Sequence, residues 1–113
     1  MKQESITDLS LVTAASRFAA LGSEQRLSVL RALVRAGPEG LAIGALGAKV
    51  GVTGATLTHH VKILAQAGLV AQERKGRQVI CIAAAYDEMR ELSEFLLKEC
   101  CADSDDPESH NHD

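Results

Sequence analysis

Two adjacent cysteines, Cys100 and Cys101, close the stretch LLKECCAD at residues 96–103, and a third, Cys81, lies in RQVICIAA at 77–84. Neighbouring Cα atoms lie ~3.8 Å apart across a trans peptide, short of the roughly 4.4 Å at which ordinary disulfides begin. A structural bridge within the pair would be strained, so its chemistry is that of two thiols side by side. Soft thiolates suit soft, thiophilic centres, and a trivalent metalloid takes two or three of them without a disulfide's Cα separation. Side chains one residue apart on a helix point ~100° apart, so the two sulfurs converge on one atom only where the helix end frays or unwinds. His110 and His112 add nitrogen donors nearby in sequence. Redox chemistry is the rival. Reactive thiolates favour electropositive places, whereas this pair stands between Glu99 and Asp103 at a helix C-terminus, where partial negative charge opposes ionisation. Lys98 offsets that in part. Cys81 shares a strand face with Val79 and is either a small core residue or a third ligand.

The chain has 113 residues, the length of one domain with a modest core that a second copy would help to cover. It has no apolar run long enough to span a membrane, and MKQESITDLS lacks the layout of a secretory signal. The expectation is a soluble, cytoplasmic protein, whose cysteines stay reduced. The net charge of −3 hides an uneven distribution. Between residues 49 and 78, Lys49, Lys62, Arg74, Lys75 and Arg77 stand against Glu73 alone. After Lys98 come Glu99, Asp103, Asp105, Asp106, Glu108 and Asp113. A basic middle is masked by an acidic tail.

Helical spacing of Leu9, Val12, Ser16 and Ala19 predicts a first helix over 6–20. Ser23 is an N-cap for a second, with Leu27, Leu30, Leu33 and Val34 as its apolar stripe, and AGPEG at 36–40 stops it. A short third helix over 41–50 carries Gly44 and Gly47, each costing ~1 kcal/mol relative to Ala unless close packing explains it. Thr53 can cap a fourth that points Leu57, Val61 and Leu64 inward and ends at Gly68. LVAQER and RQVICIAA read as two strands joined at Lys75-Gly76. A last helix runs over 85–101 with Met89, Leu92, Phe95 and Leu96 on one face. Residues 1–101 thus form one domain, and 102–113 a polar, acidic tail expected to be disordered. This is a mainly α chain with a small β-hairpin, about five helices in the order of a winged helix-turn-helix.

At this point ALGSEQRLSVLRAL (20–33) and VTGATLTHHVKILAQAGLV (52–70) resemble the second helix and the recognition helix of the ArsR/SmtB repressors. The family's S-x-H-L pattern falls on Thr58-His59-His60-Val61, and RKGRQVICIAA is similar to its wing. The likeness covers roughly residues 14–101. It implies a homodimer, paired through the first and last helices, that binds double-stranded operator DNA. Thr56, Thr58, His59 and Lys62 would enter the major groove. Arg74, Lys75 and Arg77 would grip phosphates or the minor groove. His60 faces inward as a packing or hydrogen-bonding residue. No enzyme is implied: there is no C-x-x-C, no base beside a nucleophile and no cofactor loop.

The resemblance also narrows the sensor. The family's arsenic motif in the third helix falls on residues 40–46, where Ala42 and Gly44 occupy the cysteine positions. The zinc site on the last helix needs a histidine, and none lies between His60 and His110. Cys100 and Cys101 resemble a cysteine pair of another arsenic-responsive branch. The expectation is a repressor released when As(III), Sb(III) or a trivalent organoarsenical binds Cys100 and Cys101, with Cys81 as a possible third ligand. Persulfide or redox sensing, and a zinc or other cation held with His110 and His112, are the alternatives.

Overall fold

The computed structural model describes residues 9–104. Helix α1 spans Leu11–Ala20, and its N-cap Ser10 accepts a hydrogen bond from the Thr13 amide. Within the described residues it begins at Leu11, inside the expected 6–20 stretch, because Ser10 is extended, which lets its hydroxyl satisfy one of the first-turn donors. The inward side of α1 is Ala14 and Ala20, whereas Leu11 and Val12 are exposed. Helix α2 runs over Glu24–Ala36, capped by Ser23 as the sequence indicates. Its buried residues are Val29, Leu30 and Leu33. Leu27 and Val34, expected in the same stripe, are exposed, since they stand seven residues apart on one flank of the face that meets the core.

Leu41 and Ala42 depart from the expected third helix. They form strand β1, and helix α3 spans only Ile43–Val50. β1 pairs antiparallel with β3, Leu41 opposite Cys81 and Ala42 opposite Ile80. Gly40 makes the approach possible: it holds a φ of +69°, and a Cβ there would overlap the Cys81 carbonyl. Helix α4 covers Gly54–Gln66. Thr53 is its N-cap in position, with extended backbone, but its hydroxyl makes no capping hydrogen bond.

Strands β2 (Val70–Lys75) and β3 (Gln78–Ala83) form the hairpin, and the three-stranded sheet has the order β1-β3-β2. Lys75 pairs with Gln78, so the two-residue turn is Gly76-Arg77, one position later than the sequence indicates. Gly76 alone of these two has a positive φ, +62°, the pattern of a II′ turn that matches strand twist. The core lies where α2, α3 and α4 meet the sheet, around Val29, Leu33, Leu46, Val61, Leu64 and Leu69.

Helix α5 spans Tyr86–Phe95 and packs its buried Leu92 beside α1. It stops six residues short of the expected end at Cys101. Beyond Phe95 the chain continues in successive turns with i to i+3 hydrogen bonds, including Cys100 amide to Leu97 carbonyl and Ala102 amide to Glu99 carbonyl. Leu96 and Leu97 are exposed, so among the described residues their apolar side chains gain no burial that would hold the segment in an α-helix. The tail from residue 105 onward, with His110 and His112, lies outside the described residues, as do residues 1–8.

Candidate nucleic-acid interface and cysteine turn

Helix α4 is held from below by Leu57, His60, Val61 and Leu64, all buried. The same 3.6-residue period that buries those four turns Thr56, Thr58, His59 and Lys62 to solvent. The wing residues Arg74, Lys75 and Arg77 are exposed as well. All seven residues expected to meet DNA therefore stand on open surface, four on one helix face and three at one hairpin tip.

Close approach positions the start of α4. A Cβ on Gly47 of α3 would stand 2.7 Å from the Val52 carbonyl oxygen and 3.1 Å from Leu57 Cδ2. The same Gly47 carbonyl accepts from the amides of Gly51 and Val52. The α3–α4 turn thus closes onto a glycine because a larger residue would push Thr53 and the front of α4 outward. Gly44 has no such neighbour, so packing accounts for only one of the two helix glycines.

His60 is 8 % exposed and bonds through Nε2 to Gln25 Oε1 on α2 at 2.8 Å. Gln25 lies in the quoted ALGSEQRL run, but nothing in the sequence pattern marks it as this partner. Since an amide oxygen only accepts, Nε2 carries the proton and Nδ1 is left as a buried acceptor without a hydrogen bond. Burial first, then the nearby Arg26 charge and His59, push the His60 pKa below its ordinary value. The ring is neutral at pH 7. A second long-range bond reaches the other end of the helix: Arg17 Nε of α1 donates to the Ala67 carbonyl at 3.0 Å.

Beside α2 and α3 an open groove of about 430 Å³ is lined by Leu27, Arg31, Arg35, Lys49 and Val50, with Glu24 at its edge. Arg31 and Arg35 fall at i, i+4 on α2, a spacing that the apolar stripe of the helix does not reveal.

At the far end of the chain, the sulfurs of Cys100 and Cys101 stand 2.9 Å apart. Cys101 adopts a φ of +67°, the left-handed region that a non-glycine residue seldom enters. That twist, with the loss of α-helix after Phe95, brings neighbouring side chains together that a regular helix would splay. The hydrogen bond to Cys101 is the main cause that raises the Cys100 pKa, followed by desolvation and the neighbouring charge. Cys81 is elsewhere. It is fully buried in the central strand, between Leu41 and Gln72, and burial pushes its thiol pKa up. Among the described residues no three of His, Cys, Asp or Glu come together as a metal-holding group.

Residues 21–73 match the family described as a helix-turn-helix domain, and that span contains α2, α3, α4 and the start of the wing. A homodimeric winged helix-turn-helix DNA-binding domain from Mycobacterium bovis, described as a possible ArsR-family transcriptional regulator, superposes with a TM-score of 0.62. It is 24% identical, with 99% of this chain and 96% of that one covered. The chain has a winged helix-turn-helix fold. An ArsR-like transcriptional regulator from a Rhodococcus species is similar too, with a TM-score of 0.66 and 24% identity over 88% of this chain and 89% of that one. By sequence, an uncharacterized HTH-type transcriptional regulator of Bacillus subtilis, YceK, is 38% identical over 60 residues. That match spans 53% of this chain and 59% of YceK. In this winged helix-turn-helix protein, α3 and α4 are the helix-turn-helix pair, and β2 and β3 the wing. Among the described residues no helix is long and apolar enough to cross a membrane.

Proposed function

We propose that the protein is a cytoplasmic ArsR-family transcriptional repressor. It binds double-stranded operator DNA as a homodimer and leaves it when trivalent arsenic or antimony ligates Cys100 and Cys101. The observation that carries the sensory half is the pair of sulfurs 2.9 Å apart on a non-helical turn. For a centre with bonds to sulfur of ~2.3 Å, as in zinc thiolates, two ligating sulfurs stand on the order of 3.5 Å apart. The turn, with its sulfurs 2.9 Å apart, needs to open by only about 0.6 Å to accept one. Each bond exchanges an As–O for an As–S link, and the thiol proton leaves with the oxygen as water.

The raised Cys100 pKa weighs against Cys100 itself as the standing thiolate that peroxide or persulfide sensing needs. A metalloid displaces the proton itself. Cys81, sealed in the core, supports a two-thiolate site. An organoarsenical has one position filled by carbon and is satisfied by two sulfurs, whereas arsenite gains from a third. The preferred inducer is therefore a trivalent organoarsenical.

The reading half rests on Thr56, Thr58, His59 and Lys62 in the major groove, with Arg74, Lys75 and Arg77 on the backbone. The dimer is supported by the exposed apolar residues of α1, α5 and the turn that follows it. Leu11, Val12, Tyr86, Leu96 and Leu97 would each gain roughly 1.5–3 kcal/mol if fully buried. The testing experiment is a titration of arsenite, and separately of a monomethyl arsenical, into the DNA-bound dimer followed by fluorescence anisotropy. Release at lower organoarsenical concentration is expected. DNA that stays bound through both titrations would refute the proposal.

A further inference from the structure

The repressor reading leaves open how a change at the cysteine turn reaches a helix on another part of the molecule. Helix α1 packs against α5 on one side and α4 on the other. It therefore lies between the element that leads into the cysteine turn and the element that faces DNA. Across the α1–α4 contact, the Arg17 side chain is half-buried and its Nε donates to the carbonyl of Ala67, the C-cap of α4.

The guanidinium sits at the place where its charge is most favoured, because the last carbonyls of a helix carry partial negative charge. A charge-assisted hydrogen bond of this kind is among the stronger ones. Gly68 completes the seat. Its φ is +81°, and a Cβ there would stand 3.0 Å from Arg17 Nη2, so the guanidinium lies directly over the glycine. At mid-helix, His60 is tied to Gln25 of α2. Helix α4 is thus anchored to the helix-turn-helix body at its middle and to α1 at its C-terminal end. A movement of α1 relative to the body would be felt by α4 as a pull on one end.

We infer that Arg17 is the positioning residue that couples the cysteine turn to the recognition helix, by tying the C-terminal end of α4 to α1. The inference rests on the repressor reading above. When ligation reshapes the segment after α5, α1 shifts with its packing partner, and the Arg17 bond transfers that shift to the tilt of α4. The spacing of the two recognition helices in the dimer changes, and the operator is released.

The test uses the full chain and a duplex selected from a random library by the wild-type protein, with a monomethyl arsenical as the probe. Arg17→Met keeps the unbranched stem and removes the donors; Arg17→Lys keeps a charge but loses the fork. For each, operator affinity is measured with and without the arsenical, alongside arsenical affinity without DNA and the dimer mass. Wild type is expected to lose operator affinity ~10-fold or more on ligation, within the usual range of allosteric coupling. Arg17→Met should bind the operator several-fold more weakly and bind the arsenical as before. Its release ratio should fall below ~3-fold. Arg17→Lys should restore part of the ratio. A residue that merely stabilises the fold would lower both operator affinities equally and leave the ratio at its wild-type value, which would overturn the inference. If wild type itself ignores the arsenical, the repressor reading fails on its sensory side. Unchanged operator affinity in Arg17→Met would then separately remove Arg17 from any positioning role.

Discussion

Gly44 and Gly47 lie three residues apart in one helix, and replacing each by alanine should move stability in opposite directions. Both substitutions gain intrinsic helix propensity, ~1 kcal/mol at mid-helix and about half that for Gly44 near the helix start. At Gly44 a Cβ meets nothing within 4 Å, so the gain stands alone, and Gly44→Ala should stabilise by ~0.5 kcal/mol. At Gly47 the new methyl would lie 2.7 Å from the Val52 carbonyl oxygen. The obstacle is backbone, which cannot rotate away as a side-chain tip does. Overpacking of this kind costs roughly 1–3 kcal/mol, which leaves a net loss of up to ~2 kcal/mol once the propensity gain of ~1 is set against it. For a domain of this size ~1 kcal/mol corresponds to roughly 4–8 °C in Tm. Thermal unfolding should therefore raise Tm by a few degrees for Gly44→Ala and lower it by up to ~15 °C for Gly47→Ala. Protomer concentration must be fixed, because the proposed dimerisation would shift apparent stability. Operator affinity should also fall in Gly47→Ala, since Val52 and Thr53 lead into α4. A Gly47→Ala protein as stable as Gly44→Ala, with full DNA binding, would refute the claim that the missing Cβ sets the α3–α4 approach.

Arg77→Ala should weaken binding to all duplexes and reduce the slope of log affinity against log salt by ~1, as for one lost phosphate contact; Thr58→Ala and His59→Ala should instead lose operator binding preferentially. An unaltered salt slope in the first, or uniform losses in the other two, would reassign those residues. Because the His60 pKa is lowered on folding, the unfolded chain binds the proton more readily. The stability His60 contributes is present above its unfolded pKa of ~6.5 and drains away as pH falls through the folded value. Denaturant midpoints between pH 7.5 and 5 should show that acid-side fall, and His60→Leu should flatten part of it. Cys100→Ser and Cys101→Ser should each keep DNA binding and abolish release by the arsenical; release at wild-type concentrations in both variants would put the sensor elsewhere. Cys81→Ser should lose ~1–3 kcal/mol by burying an ill-placed hydroxyl while the ratio of organoarsenical to arsenite response stays put, whereas an arsenite preference that vanishes in this variant would make Cys81 a ligand.

Much of the helix-turn-helix and wing was legible because each element there carries its own local signal. Ser23 caps α2 as its residue type demands, and Leu57, Val61 and Leu64 are buried at the spacing one helix face requires. The basic hairpin tip reads from Lys75, Gly76 and Arg77 alone. Strand β1 was not legible, since two residues give no period to count. Leu41 and Ala42 become a strand because Gly40 lets the chain come against β3, a tertiary event that no local pattern encodes.

The cysteine end shows the reverse limit. Leu92, Phe95 and Leu96 keep helical spacing, and Leu96, Leu97, Lys98 and Glu99 are all good helix formers, so local preference favours helix through Cys101. The α-helix nonetheless ends at Phe95. Among the described residues Leu96 and Leu97 find no apolar cover, and a helix this short draws its stability from packing rather than propensity. Periodicity identifies an apolar face without saying what covers it, and the exposed Leu96 and Leu97 mark where the single chain's packing ends. The sulfur-to-sulfur approach depends on that ending, because it is the break from helical geometry, with the left-handed backbone of Cys101, that brings two neighbouring thiols together. A substitution that extended α5 through residue 101 would splay the sulfurs by the ~100° of a helical step. It would thereby weaken metalloid binding while leaving both cysteines in place, so the turn is as much a part of the proposed sensor as the thiols it carries.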